Sequence, residues 1–183
     1  MADLEKTRRQ YLHAQQTCKD VFVAKLKDYG ASWRVFRPSS VTDQVFIKAQ
    51  RIRSIEEKGE SRVKEDVRGE YIGLVNYSII ALIQLEKGPA QEPPADTRLL
   101  VDDYDRFATG AFHLMNDKNH DYDEAWREMR LSSLTDMILV KIHRIRQMEN
   151  NAGKTLVSEG ADSNFMDMIN YALFALIRLD ESV

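Results

Sequence analysis

The sequence predicts an all-α protein, six helices arranged as a tandem three-helix repeat that closes into one bundle with pseudo-twofold symmetry. Three observations predict it. The stretch Asp28–Glu56 returns 93 residues later as Asp121–Glu149, with 14 of its 29 positions identical. Two stretches, within residues 63–87 and 155–180, are apolar nearly all round, as buried central helices are. No strand-like alternation of useful length occurs anywhere. The repeat divides the chain into a first copy over 1–88, a linker over 89–97 and a second copy over 98–183.

The elements follow in order. Leu4 to Lys27 reads as a helix, with Leu12, Val21, Phe22, Val23 and Leu26 as its apolar stripe. Asp28-Tyr29-Gly30 breaks it, Gly30 being suited to a positive φ. The segment to Pro38 is a loop dense in Trp33, Arg34, Phe36 and Arg37. Ser39 and Ser40 are candidate N-caps, and Ser40 with Asp43 resembles a capping box. A second helix runs from about Val41 to Lys58, with Lys48 and Arg51 on one face. Gly59-Glu60-Ser61 is a turn. A third helix covers about Val63 to Lys87, and Gly88 to Pro94 is a linker rich in turn residues. The second copy replays the plan. A helix spans about Arg98 to Asn116, a loop spans Asp121 to Leu131, and a helix capped by Ser132 and Ser133 ends near Met148. A last helix covers about Thr155 to Asp180. One residue is inserted before it, so the offset becomes 94 and Asn76-Tyr77 falls on Asn170-Tyr171.

Composition sets bounds on function. A formal charge of −3 gives no whole-molecule attraction for nucleic acid or anionic membrane. A single cysteine, Cys18, rules out an internal disulfide and a multi-cysteine metal site, and reads as a small hydrophobe on a helix face. No apolar run reaches the ~18–20 residues of a membrane span. The start has no apolar signal region, so the expected location is the cytoplasm.

The repeated residues point to a site, because the two copies keep polar and charged positions while exchanging apolar ones. On the last helix Glu159, Asp167 and Asn170 lie at i, i+8 and i+11, within about 80° of arc. An acidic pair on a mostly buried helix suits a hard cation such as Mg²⁺. The first copy keeps Glu65 and Asn76 but has Gly69 and Gly73 further on. Asp66 and Asp162 read as helix-start residues favoured by the dipole. A basic set accompanies the acids: Arg34, Arg37, Lys48, Arg51 and Arg53, matched by Arg127, Arg130, Lys141, Arg144 and Arg146. Guanidinium forks and ammonium groups suit phosphate oxygens, and Lys48 and Arg51 are the first candidates. Helix-surface ion pairing is the alternative for such residues. Asp43 and Asp136 are either helix caps or metal ligands. Trp33 and Trp126 either stack on a base or close the end of the bundle.

DYGASWR, then S-x-x-D, K-x-x-RI, Glu, and NY leading an apolar helix, resembles the nucleotide modification associated domain 1 family. In pattern it is also similar to the all-α MazG-like nucleoside triphosphate pyrophosphohydrolases. The resemblance implies a site for a phosphorylated nucleotide, with Mg²⁺ held by acidic residues and cleavage between the α and β phosphates. It places that site at Glu65, Glu159, Asp167 and the Lys48/Arg51 and Lys141/Arg144 pairs; Asp43 and Asp136 join the candidate metal ligands from the residue reading above, and Glu159 and Asp167 are the expected carriers of the chemistry. On the residue reading, substrate contacts would come from Asp28, Trp33, Arg34, Asn76 and Asn170 as well as the Lys48/Arg51 and Lys141/Arg144 pairs. A non-catalytic nucleotide-binding or adaptor protein with the same fold is the alternative. The second copy has Asp123 in place of Gly30, so the expected working site combines carboxylates of the second copy with the Asp28–Arg34 loop of the first. A homodimer stays open as an assembly.

Overall fold

A computed structural model of the chain describes residues 4–59 and 66–182. These form six α-helices: α1 (Leu4–Tyr29), α2 (Pro38–Lys58), α3 (Val67–Lys87), α4 (Arg98–Tyr122), α5 (Leu131–Asn150) and α6 (Ala161–Glu181). A single 3₁₀ turn precedes α2, at Ser32–Val35, and another precedes α5, at Ala125–Glu128. No strand occurs among the described residues. Helices α3 and α6 pack on each other at the centre, α2 against α3 and α5 against α6. Helices α2 and α5 also meet, and α1 and α4 each lie across both central helices. One continuous core results, and its fully buried side chains come from both copies: Tyr11, Tyr71, Ile79 and Ile83 beside Tyr104, Leu134, Ile138 and Phe165. No described helix is long and apolar enough to cross a membrane.

Several element boundaries differ from expectation, each for a local reason. Helix α2 begins at Pro38, whose fixed φ and missing N–H suit the first helical position. Arg37 is therefore the N-cap, with no side-chain cap bond, and Ser39 and Ser40 lie inside the helix. The second copy does the same with Leu131 in place of Pro38 and Arg130 as N-cap, so Ser132, Ser133 and the Asp43 and Asp136 side chains cap nothing. Helix α4 continues past Asn116, since Met115 and Asn119 keep its inner face buried, and stops where Asp123 turns left-handed. The stripe of α1 is Tyr11, Ala14, Cys18, Phe22 and Leu26, while Leu12 is exposed. Asp66 caps α3 by accepting from the Gly69 amide. Gly59 ends α2 in the left-handed region; the rest of that turn and Glu65 lie outside the described residues.

The largest difference concerns α6. It starts at Ala161, with Gly160 as N-cap, rather than at Thr155. Leu156 and Val157 are fully exposed, so the preceding segment has no apolar stripe to hold it against the bundle. Glu159 is thus off the helix, and the shared face expected for Glu159, Asp167 and Asn170 does not form.

Candidate functional site

Much of the repeated polar set ties one copy to the other. Thr42 donates to Glu149 at 2.7 Å, and its counterpart Thr135 donates to Glu56 at 2.9 Å. Arg146 bonds Asp43 at 2.8 Å, and Arg53 approaches Asp136 at 3.8 Å. These are the same two contacts crossed over, at the α2–α5 junction. A second crossing lies deeper. The Tyr104 hydroxyl donates to Asn76 Oδ1 at 2.8 Å, and the Tyr11 hydroxyl to Asn170 Oδ1 at 2.6 Å. Tyr11 and Tyr104 are 93 apart, like the rest of the repeat, so each tyrosine holds the asparagine of the other copy. Asp43 and Asp136 sit on this exposed junction, away from the other candidate ligands.

Each copy also builds one cavity, and the two correspond residue for residue. The first, about 610 Å³, lies between α1, the first 3₁₀ turn and α3. Phe22, Tyr29, Trp33, Phe36 and Tyr77 give it aromatic walls; Lys25, Lys48 and Glu70 give it charge. The second, about 330 Å³, is lined by Met115, Lys118, Tyr122, Trp126, Met129, Asp167, Asn170, Tyr171 and Phe174 among others. Every one of these is the repeat counterpart of a residue lining the first. Two exchanges account for the smaller volume. Phe174, where the first copy has Ile80, stacks flat on Trp126 at 4.2 Å. Asp167, where the first copy has Gly73, takes Lys118 at 2.6 Å and Lys141 at 2.7 Å, one on each oxygen. Burial opposes the charge on Lys118, but the hydrogen bond and charge of Asp167 outweigh it and raise its pKa.

The first copy arranges the same lysines differently. Lys48 Nζ lies 3.5 Å from Glu70, one turn before Gly73, and Arg51 bonds the other oxygen of Glu70. The Lys48 stem crosses Gly73 so closely that a Cβ there would meet Cδ and Cε at 2.8 Å. Its ammonium also sits 5.5 Å from the Tyr77 ring centre. Lys25, the counterpart of Lys118, pairs with no described residue.

The other expected site residues fall into place around these cavities. Lys48 and Arg51 do share a face, directed at Glu70. Trp33 lines the first cavity and packs on Phe22 at 6.2 Å. Asn76 lines it too, held by Tyr104 and donating to the Cys18 carbonyl at 3.0 Å. Arg34 is 9% exposed and braces the 3₁₀ turn against the end of α3 through Gln84 and the Gly88 carbonyl. Asp28 is exposed and lines no cavity described here. Lys141, Arg144 and Glu159 border an open cleft beside the exposed 151–160 segment. Glu159 and Asp167 meet only at a shallow 210 Å³ cavity that also includes Lys118. Trp33 and Asp167 belong to different cavities, so the composite of the two copies does not form.

Neither the basic nor the acidic candidates amount to a cation site. Asp167 has both oxygens on ammonium groups, Glu70 has a guanidinium and an ammonium, and Glu159 is exposed off the helix. No group of three or more His, Cys, Asp or Glu side chains converges among the described residues. The donor set around either cavity does not fit Mg²⁺, which asks for several carboxylate oxygens and waters. Lys25 and Glu70 escaped selection as site residues. Lys25 was findable, because the 93-residue correspondence runs upstream of Asp28 through Lys25/Lys118 to Tyr11/Tyr104. Glu70 is visible in the sequence as an i,i+4 acidic pair with Asp66, but Asn164 stands at its place in the second copy, so the repeat does not single it out.

The fold and its cavities define an all-helical tandem duplication with a corresponding cavity in each copy, about 610 Å³ in the first and about 330 Å³ in the second. The chain belongs to the nucleotide modification associated domain 1 family, whose model matches twice, over residues 25–85 and 118–179. Comparison with curated proteins finds no match, and neither does comparison with solved structures. The likeness to MazG-like enzymes receives no support from these comparisons.

Proposed function

We propose that the protein binds a phosphorylated nucleotide in the first-copy cavity. The observation that carries this is the composition of that cavity: five aromatic side chains around about 610 Å³, with two lysines at its charged side. Aromatic faces suit a planar base, ammonium groups suit phosphate oxygens, and pockets of this size hold small ligands. The family description agrees with a role near nucleotides. Calorimetric titration with nucleotides tests it. Trp33→Ala should weaken binding tenfold or more while Trp126→Ala leaves it within about twofold; equal effects would refute the assignment to the first cavity.

The finer reading is a Mg²⁺-dependent nucleoside triphosphate pyrophosphohydrolase. What favours it is Glu70, a carboxylate only 4% exposed yet lining the cavity. Because the described acids do not fit the ion, binding without hydrolysis is the stronger reading. Pyrophosphate release from a nucleoside triphosphate panel with Mg²⁺ separates them. Release that is lost in Glu70→Gln would establish hydrolysis; none, from a protein that binds nucleotide, would leave the binding protein.

A further inference from the structure

We infer that the first-copy cavity contains a subsite for a single phosphate group, between Lys25 and Lys48 above Gly73, and that the Asp167 carboxylate occupies the equivalent place in the second copy. The inference rests on the nucleotide reading of this cavity and specifies where and how the anion is held. Lys118 and Lys141 close on Asp167 at 2.6 and 2.7 Å, so the second copy displays a complete oxyanion clamp with its anion built into α6. The first copy keeps both lysines at the corresponding positions, Lys25 and Lys48, and both line the cavity. It lacks the carboxylate, because Gly73 stands there. Lys25 is consequently left with no described partner. Lys48 folds down over Gly73 and reaches Glu70 only at 3.5 Å, a loose contact that Glu70 does not depend on, since Arg51 holds it as well.

Charge decides the class of ligand. Arg51 neutralises Glu70, so the clamp presents two positive charges to the cavity. A phosphate monoester, carrying close to two negative charges at neutral pH, balances them. A triphosphate brings about twice that charge and would need a metal ion that the described donors do not fit. The expected ligands are therefore nucleoside monophosphates, with the base against the aromatic wall and the phosphate over Gly73. With glycine there the space is taken only by the flexible end of Lys48, which must swing off Gly73 to admit the anion, whereas an aspartate would fill that space and cancel the charge together.

The test uses the full chain in metal-free buffer, titrated calorimetrically with inorganic phosphate, the common ribo- and deoxyribonucleoside 5′-monophosphates and 5′-triphosphates, and the parent nucleosides. Wild type should bind at least one monophosphate tenfold or more tighter than its nucleoside and tighter than its triphosphate. Gly73→Asp should lose at least tenfold in that affinity. The nearest atoms to a Cβ at this position are the flexible end of Lys48, which the new carboxylate can pair with as Asp167 pairs with Lys141, so the variant should melt no lower than wild type. Lys25→Gln, an exposed change, should give a similar loss and serves if Gly73→Asp does not fold. Unchanged monophosphate binding in these variants would overturn the subsite while leaving the nucleotide cavity standing. Tightest binding of the triphosphate would overturn the one-phosphate class. Phosphate binding that Gly73→Asp abolishes, with no gain from any nucleoside, would keep the subsite and refute the nucleotide reading. No binding of phosphate or of any mono- or triphosphate would refute both.

Discussion

Tyr11 and Tyr104 perform the same task in unequal surroundings. Asn76 keeps a second bond, to the Cys18 carbonyl, when Tyr104 loses its hydroxyl. Asn170 has none, because its Nδ2 is buried without a partner. Leaving a buried polar group unsatisfied costs about 1–3 kcal/mol. Tyr11→Phe should therefore destabilise more than Tyr104→Phe, by about 1 kcal/mol in urea unfolding; the reverse order would mean that the ties are not what holds the asparagines. Glu56 provides a pH test. Burial lifts its carboxyl above the ordinary value, and this outweighs the opposing hydrogen bond from Thr135. A raised folded pKa contributes stability below the unfolded value, about 4.3, and that contribution is lost as pH rises through the folded value. Glu56→Gln should match wild type near pH 4 and gain on it as pH rises toward neutrality, read as melting temperature against pH. Cys18 is buried and its thiol is pushed up to about 12 by that burial. A disulfide reagent at pH 8 should modify it only as fast as the protein opens.

At the scale of elements, the contrast between α3 and α6 sets the contrast between cavities. Ile80 and Phe174 occupy one helical position in two copies, and only the phenylalanine reaches the tryptophan to stack on it. Ile80→Phe should bring the same stack to Trp33, shrink the first cavity and weaken ligand binding at least tenfold. Its stability cost should stay within the ~1–3 kcal/mol typical of overpacking, since the second copy already accommodates the arrangement. Retained binding would place the ligand elsewhere. The helices themselves were legible because their periodicity is strong: α3 and α6 announce burial on every side. Their ends were less so. Pro38, Ser39 and Ser40 admit more than one start for α2, and only the first turn's actual geometry distinguishes Pro38 as N1 from Ser39 or Ser40 as cap. The start of α6 was hidden for a different reason. Thr155 to Glu159 contains residues compatible with a helix, but no neighbouring element covers Leu156 and Val157, and that is a tertiary fact.

The whole molecule explains why repeated polar residues were only a partial guide to the site. Two copies facing each other across a pseudo-twofold axis must satisfy the same junction twice. Thr42, Asp43, Arg53 and Glu56 therefore recur for the contact between copies, as a binding site would also have required. Lys48 recurs for its cavity. Sequence similarity between copies cannot separate the two causes; the crossed partners do. The same ties predict the behaviour of fragments. Residues 1–88 alone would expose the α3 face that packs on α6 and remove the bonds between Thr42 and Glu149, between Arg146 and Asp43 and between Tyr104 and Asn76 Oδ1. That fragment should be unfolded or self-associated, while the full chain unfolds in one cooperative transition. A monomeric, folded 1–88 would show that the copies are independent.

The segment from Gly88 to Thr97 has a consequence out of proportion to its size. Were the two copies separate but identical chains, every substitution would be made on both sides of the axis at once. A glycine that opens one cavity would open the other, and an aspartate that seals one would seal both. Joining the copies by ten residues ends that obligation. One half can accumulate the bulky and acidic side chains that fill its cavity, Phe174 and Asp167, and the other can keep Ile80 and Gly73 and the larger space. The connection is thus a licence for divergence: it lets a protein built like a symmetric pair carry two unlike halves.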